Sequence, residues 1–336
     1  MQSYFIRNYF LIMRKQLQKN LIATIREHIP RGTNITNYLA DTLILGRESV
    51  YRRLRGEINF TFEEVSILSS KLGFSIDNLV GMKKNENALF SIPILQDAEY
   101  LEIYRHKMLE YGKLFCSMGN FHNAEARLAI NMLPYFLHIE HENLSRFRLF
   151  KWLYQNQKIE INSKFADFLL PENILAAHRT FQQDLIHVPN ATMIMDNNVF
   201  WSVAKDIEYF QKRGLLSTED VRCLKEELYR IIDDLEMMAI NGVCKNGIKI
   251  SIYTSAVDLE ATYLHFEHGD SQFSQVRIFA ISAIDSYDKR LCQVQKKWIE
   301  SLKRYSTLIT QSGEMQRFEY LNGQRDIINS ILKIEG

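Results

Sequence analysis

The sequence predicts a mainly α-helical fold: five short helices in an N-terminal domain, then a large helical α+β domain carrying a small antiparallel sheet. Three observations lead there. Apolar residues recur at three- and four-residue steps through the first 80 residues and again between 97 and 241. Runs rich in β-branched and aromatic residues cluster in one place, between 247 and 284. With 336 residues, 46% hydrophobic and 24% charged, and no low-complexity tract, the chain is long enough for two or three domains with a sizeable core.

The first thirteen residues, MQSYFIRNYFLIM, are apolar but too short to span a bilayer. Arg7 interrupts them and no small-residue cleavage site follows. A helix docking on the body or on a second subunit is expected there. No other stretch approaches membrane-spanning length, so a cytoplasmic protein with no membrane partner is expected.

From residue 16 onward, Leu17, Leu21, Ile22, Ile25 and Ile29 define the apolar stripe of a first helix, which Pro30 and Gly32 end. In NITNYLADTLIL, Leu39, Ala40 and Leu43 share a face, and Asn34 or Thr36 caps the start. The small Ala40 lets a second helix cross close by. A third helix starts near Gly46. Thr61 with Glu64 three residues later is a capping-box signature for a fourth, through Phe62, Val65, Leu68 and Leu72, which Gly73 stops. SIDNLVG adds a fifth. The domain spans 1–83, and polar KKNENA leads into a linker over 84–95.

The remaining domain, 96–336, carries helical candidates at 97–117, 123–138, 143–156, 172–186, 199–213 and 217–241. The last has Ser217 or Thr218 as cap and acids in its first turn. No fixed period links these helices, although paired helices with short turns also suit a helical-repeat receptor. GIKISIYTS, EATYLHFEH and QVRIFAISAI predict three antiparallel strands over about 247–284, with closing helices at about 286–311 and 323–333.

Net charge is +1, but it is unevenly spread. Residues 1–85 hold 13 Lys/Arg against 7 Asp/Glu, a balance of +6, and the rest hold 28 against 33, a balance of −5. A basic front implies an anionic partner, nucleic acid first. The charge peaks in GRESVYRRLRGEINFT, where residues 47–55 contain four arginines. On a helical wheel Val50 and Leu54 fall on one side, and Glu48, Arg52 and Arg55 fall on the other with Ser49 at its edge. Taken alone, this pattern also suits a solvated helix with a Glu48–Arg52 pair.

Residues 35–80 resemble the helix-turn-helix domain of lambda-repressor-like regulators of the Cro/C1 or Xre type. The likeness rests on LAD in the second helix, the ten-residue step from Gly46 to Gly56 across the third, the fourth helix and the LGFSIDNL close. With the first helix included, the five-helix domain takes in about 65 of the 336 residues. The likeness implies a lambda-repressor-like DNA-binding domain whose third helix enters the major groove of double-stranded operator DNA. Arg47, Glu48, Ser49 and Arg52 would then face base edges. Thr36 would contact the backbone or support a base-reading residue, and Arg55 and Asn59 would contact phosphate. Tyr51 is expected to pack. The family usually has glycine where this chain has Ile44, so a different turn geometry is expected.

Little chemistry is legible in the body. His138, His141 and Glu142 lack the HExxH spacing, and in a second possible cluster with Asp270, His265 and His268 fall on opposite faces of a strand unless the turn intervenes. No metal or cofactor site is expected. Cys116, Cys223, Cys244 and Cys292 show no CxxC pair and are expected free and mostly buried. There is no GxGxxG, Walker loop or nucleophile elbow. Carboxylate pairs Glu226–Glu227 and Asp233–Asp234 are expected on a solvated helix face, and Trp152, Trp201 and Trp298 in the core. The expected function is transcription regulation without catalysis, through a homodimer whose body senses an effector (small molecule, peptide or protein). A peptide receptor or an enzymatic body are the alternatives.

Overall fold

Local signals act strongly in the first unit. The computed structural model describes residues 17–30, 33–74, 76, 88, 90–92, 99–278 and 281–333, and divides into two units, Met1–Leu89 and Phe90–Gly336. The N-terminal run MQSYFIRNYFLIM, the SIDNLVG helix apart from Ile76, and the 84–95 linker apart from Ala88 and residues 90–92 lie outside the described residues.

In the first unit, α1 (17–28), α2 (Ile35–Leu43), α3 (Arg47–Leu54) and α4 (Phe62–Leu72) follow in order. Asn34 caps α2, accepting from the Thr36 and Asn37 amides. Thr61 and Glu64 close a complete capping box on α4, and Gly73 ends that helix in the left-handed conformation. The core collects one residue or two from each helix, Leu21, Ile25, Leu39, Val50 and Leu68, together with Phe60 from the segment between α3 and α4.

In the second unit the fold class is α/β, which overturns the mainly helical expectation. A seven-stranded mixed sheet runs in the order β6-β5-β4-β1-β2-β3-β7. Its strands are β1 (Glu125–Ile130), β2 (Asn190–Met195), β3 (Lys249–Ser255), β4 (Tyr263–His268), β5 (Ser271–Arg277), β6 (Ala283–Ser286) and β7 (Ser306–Leu308). β1, β2 and β3 are parallel neighbours; β4, β5, β6 and β7 join antiparallel.

The helices are α5 (Tyr100–Met118), the single turn α6 (Tyr135–His138), α7 (Glu142–Gln155), α8 (Glu172–Leu185), α9 (Val199–Lys212), α10 (Thr218–Asn241), α11 (Lys289–Leu302) and α12 (Glu314–Ile331). One sheet face, including Ala126, Leu128, Met193 and Ile250, belongs to the large core shared with α5, α7, α8 and α10. The opposite face, with Ala129 and Ile194, packs on Ile299 and Leu302 of α11.

Several expectations fail for a common reason. The helix expected over 123–138 is strand β1 followed by an irregular link and α6, and β2 has no counterpart in the sequence reading. EARLAI is rich in good helix formers, and both strands are buried nearly throughout. Central strands of a parallel sheet lose the alternation that marks a half-exposed strand. The third expected strand is two, β5 and β6, and the helix expected over 286–311 ends at Leu302 before a 3-10 turn and β7. The final helix starts at Glu314, earlier than the expected 323. The sheet also leaves no helical-repeat architecture for a repeat receptor.

Candidate nucleic-acid interface

The second and third helices meet through a three-residue turn, Ile44–Leu45–Gly46. Ile44 takes φ 54° and ψ 48°, and its amide donates to the Ala40 carbonyl, so the left-handed turn forms even with a β-branched residue there. The expected departure in turn geometry is not observed. Ile44 is 93% exposed, so no packing offsets the conformational cost, typically 1–2 kcal/mol. Leu45 donates to the same Ala40 carbonyl at 3.0 Å, and Gly46 caps α3 in an extended conformation.

Helix α3 is held by Val50, fully buried, with Leu54 packed on the same core. Arg47, Glu48, Arg52 and Arg55 are exposed and Ser49 is partly buried. The Glu48–Arg52 pair of the solvated-helix alternative does not form. Glu48 instead meets Arg55 at 3.4 Å, and Glu57, just past the helix, meets Arg52 at 3.4 Å and Arg55 at 3.1 Å. Such exposed pairs contribute about 0–1 kcal/mol and exchange readily for another anion. Among the described residues, Arg47 has no carboxylate within ion-pair distance.

Arg53 has a different job. Its guanidinium grips Glu64 through Nε and Nη2 and also donates to the Ser49 carbonyl at 3.2 Å. Glu64 is the residue that closes the α4 capping box, so Arg53 ties the third helix to the start of the fourth. The sequence reading left Arg53 without a role and missed Glu57. The adjacency of Glu57 to RRLRG was the available signal.

Of the supporting residues, Asn59 is exposed, on the segment that follows α3. Thr36 is buried at the start of α2, which suits support over direct phosphate contact. Tyr51 is half exposed, in contrast to the packing expected of it. The segment after α3 is anchored by Gln18 of α1, whose side-chain amide donates to the Ile58 carbonyl at 3.2 Å.

The body's other candidates are not brought together. His138 is buried, with Nδ1 on the Pro134 carbonyl, and burial holds it well below the usual histidine range. His141 merely precedes α7. His265 contacts Ser274 from β4, while His268 contacts Ser117 of α5. Among the described residues no group of three or more His, Cys, Asp or Glu is arranged to hold a metal. The four cysteines are free; Cys244 and Cys292 are buried, whereas Cys116 is exposed. Trp152 is buried, but Trp201 and Trp298 are substantially exposed.

Glu227 corrects the expectation of a solvated face. It is buried on α10 and accepts from the Asn143 and Leu144 amides and the Asn143 side chain, capping α7 from another helix. No helix among the described residues is long and apolar enough to cross a membrane. No family model, curated protein or solved structure matches the chain.

Proposed function

We propose that the chain is a sequence-specific DNA-binding transcriptional regulator and that α3 is its recognition helix. The observation that carries the reading is a two-helix corner closed by a three-residue turn, with Val50 inward and Arg47, Glu48 and Arg52 outward. An α-helix fits the major groove, and an arginine there takes guanine O6 and N7 through two hydrogen bonds. Ser49 borders that face. Arg55 and Asn59, at and beyond the helix end, suit phosphate, and Thr36 supports the corner from within. Glu48 and Glu57 hold the arginines in the free protein and give them up to the more highly charged DNA.

One short recognition helix spans few base pairs, so the regulator acts as a homodimer on paired half-sites. The α/β body, much larger than a dimer clamp requires, receives the signal.

The test is selection of bound fragments from the source genome by the purified protein, followed by titration of the recovered sequence at moderate salt. Arg47→Ala and Arg52→Ala should each weaken binding, and the double variant should abolish preference for the selected sequence over random DNA. Parent-like binding by the double variant overturns the assignment of α3.

A further inference from the structure

We propose that the second unit binds an elongated, unbranched amphipathic carboxylate, its chain lying across the sheet and its head against Arg277. The inference goes beyond DNA binding and does not depend on it, because every residue of the site lies between 111 and 277.

The site is a cavity of about 120 Å³ between the sheet and helices α5, α8 and α10. Its floor follows from strand register. Ile250 pairs with Ala191, Ala191 with Ala126, and Ala126 with Phe266; one row further, Leu128 pairs with Leu264 and Leu264 with Gln275. All of these point to one face, since residues two apart on a strand share a side. The two alanines sit at the middle of the floor, where a larger side chain would close it. Phe115, Phe181 and Leu185 line the helical side.

Shape selects the ligand. From β3 to β5 is four strand spacings, roughly 19 Å. A cavity of about 120 Å³ whose lining follows that row from β3 to β5 is elongated, which suits an extended chain better than a ring system. The cavity has two unlike ends. At one, Glu140, Lys245 and Asn246 are exposed, and Lys245 bridges to Asp234 at 2.7 Å. At the other, Thr262 is buried at the approach to β4, and Gln275 and Arg277 are buried on β5.

The inner end is cationic. Arg277 stands 4.6 Å from the Tyr135 ring centroid, and Arg148 stands 4.5 Å from the same centroid. The Gln275 amide donates to Tyr111 at 2.6 Å and to Asp285 at 2.9 Å, and Asp285 in turn lies 3.8 Å from Lys107. A planar guanidinium matches a carboxylate through two parallel hydrogen bonds, which a neutral hydroxyl head does not reproduce. A mostly apolar cavity leading to such an end therefore selects a chain with one anionic head.

Delipidated full-length protein is titrated calorimetrically with decanoate and with decan-1-ol, both below their aggregation limits. Decanoate should bind at least tenfold tighter than the alcohol. Each methylene added between octanoate and decanoate should tighten binding on the order of three- to fourfold, as expected for burial of one CH₂. Arg277→Gln should bring decanoate down to the level of the alcohol, and Ala191→Leu should weaken both ligands more than tenfold at an unchanged melting temperature. Equal binding of acid and alcohol, binding of neither, or parent-like binding by a folded Ala191→Leu variant each overturns the proposal. The comparison of the two ligands on the unmutated protein decides the matter even where a variant does not fold.

Discussion

Arg53 donates two hydrogen bonds to the Glu64 carboxylate, from Nε at 2.9 Å and from Nη2 at 2.8 Å, with only 12% and 14% of the two side chains exposed. This pairing separates Arg53 from its three neighbours, which stay at the surface. Removing one partner leaves a poorly solvated charge, so Arg53→Ala should destabilise the first unit by about 1–3 kcal/mol. Urea unfolding read in a cycle with Glu64→Ala measures the coupling. On the selected DNA, Arg53→Ala should leave the salt slope unchanged at temperatures where the unit is folded.

Arg52 and Arg55 should differ in kind when each is replaced by alanine. Loss of a base contact costs about 1–3 kcal/mol at one position of the site. Loss of a phosphate contact weakens every sequence alike and lowers the salt slope by about one unit of counterion release. Binding of both variants to single-base operator variants, across a salt series, distinguishes the two. Identical profiles would remove the division of labour between them.

Ile44 holds a left-handed conformation that glycine adopts without steric cost, and its side chain is almost wholly exposed. Ile44→Gly should therefore stabilise the first unit by about 1 kcal/mol, the relief of backbone strain exceeding the entropy of a more flexible unfolded chain. Ile44→Val, still β-branched, should give no gain. Thermal melts of the two variants against the parent provide the comparison.

From α10, Glu227 accepts from two backbone amides at the start of α7 and from the side-chain amide of Asn143 on that same helix. Glu227→Ala strips one buried and two partly buried donors of their acceptor and should cost about 2–4 kcal/mol, with Glu227→Gln recovering part of it. Chemical denaturation of the second unit tests both, and a loss below 1 kcal/mol for the alanine variant would contradict the role.

Acid should destabilise the second unit early. Burial holds His178 and His265 down to about 4. An unfolded histidine titrates near 6.5, so between about pH 6.5 and 4 the unfolded chain takes up protons that the folded chain refuses. Stability is thus complete above pH 6.5 and falls as pH drops, by up to about 3 kcal/mol for each histidine. Urea midpoints across that range should fall steadily. Replacing His178, which pairs with Tyr104 at 2.7 Å, by Gln should flatten the slope while costing stability at neutral pH.

What the sequence alone determined is short in range. The stripe of α1, the Asn34 cap, the Thr61–Glu64 and Ser217 starts, the Gly73 stop, and the wheel that put Val50 inward and Arg52 outward all depend on residues within one or two turns of each other. That range also covers most of the candidate interface, because its residues share one helix. The tertiary structure decided the rest. EARLAI became β1 because Ala126 and Leu128 could pair with Ala191 and Met193, more than sixty residues away, and with Phe266 and Leu264, more than a hundred and thirty away. Arg53 met Glu64, and Glu227 met the start of α7, only once separate elements had packed. A buried strand or a buried carboxylate takes its identity from partners distant in the chain, and helix propensity and local charge pattern carry no information about which partners those are.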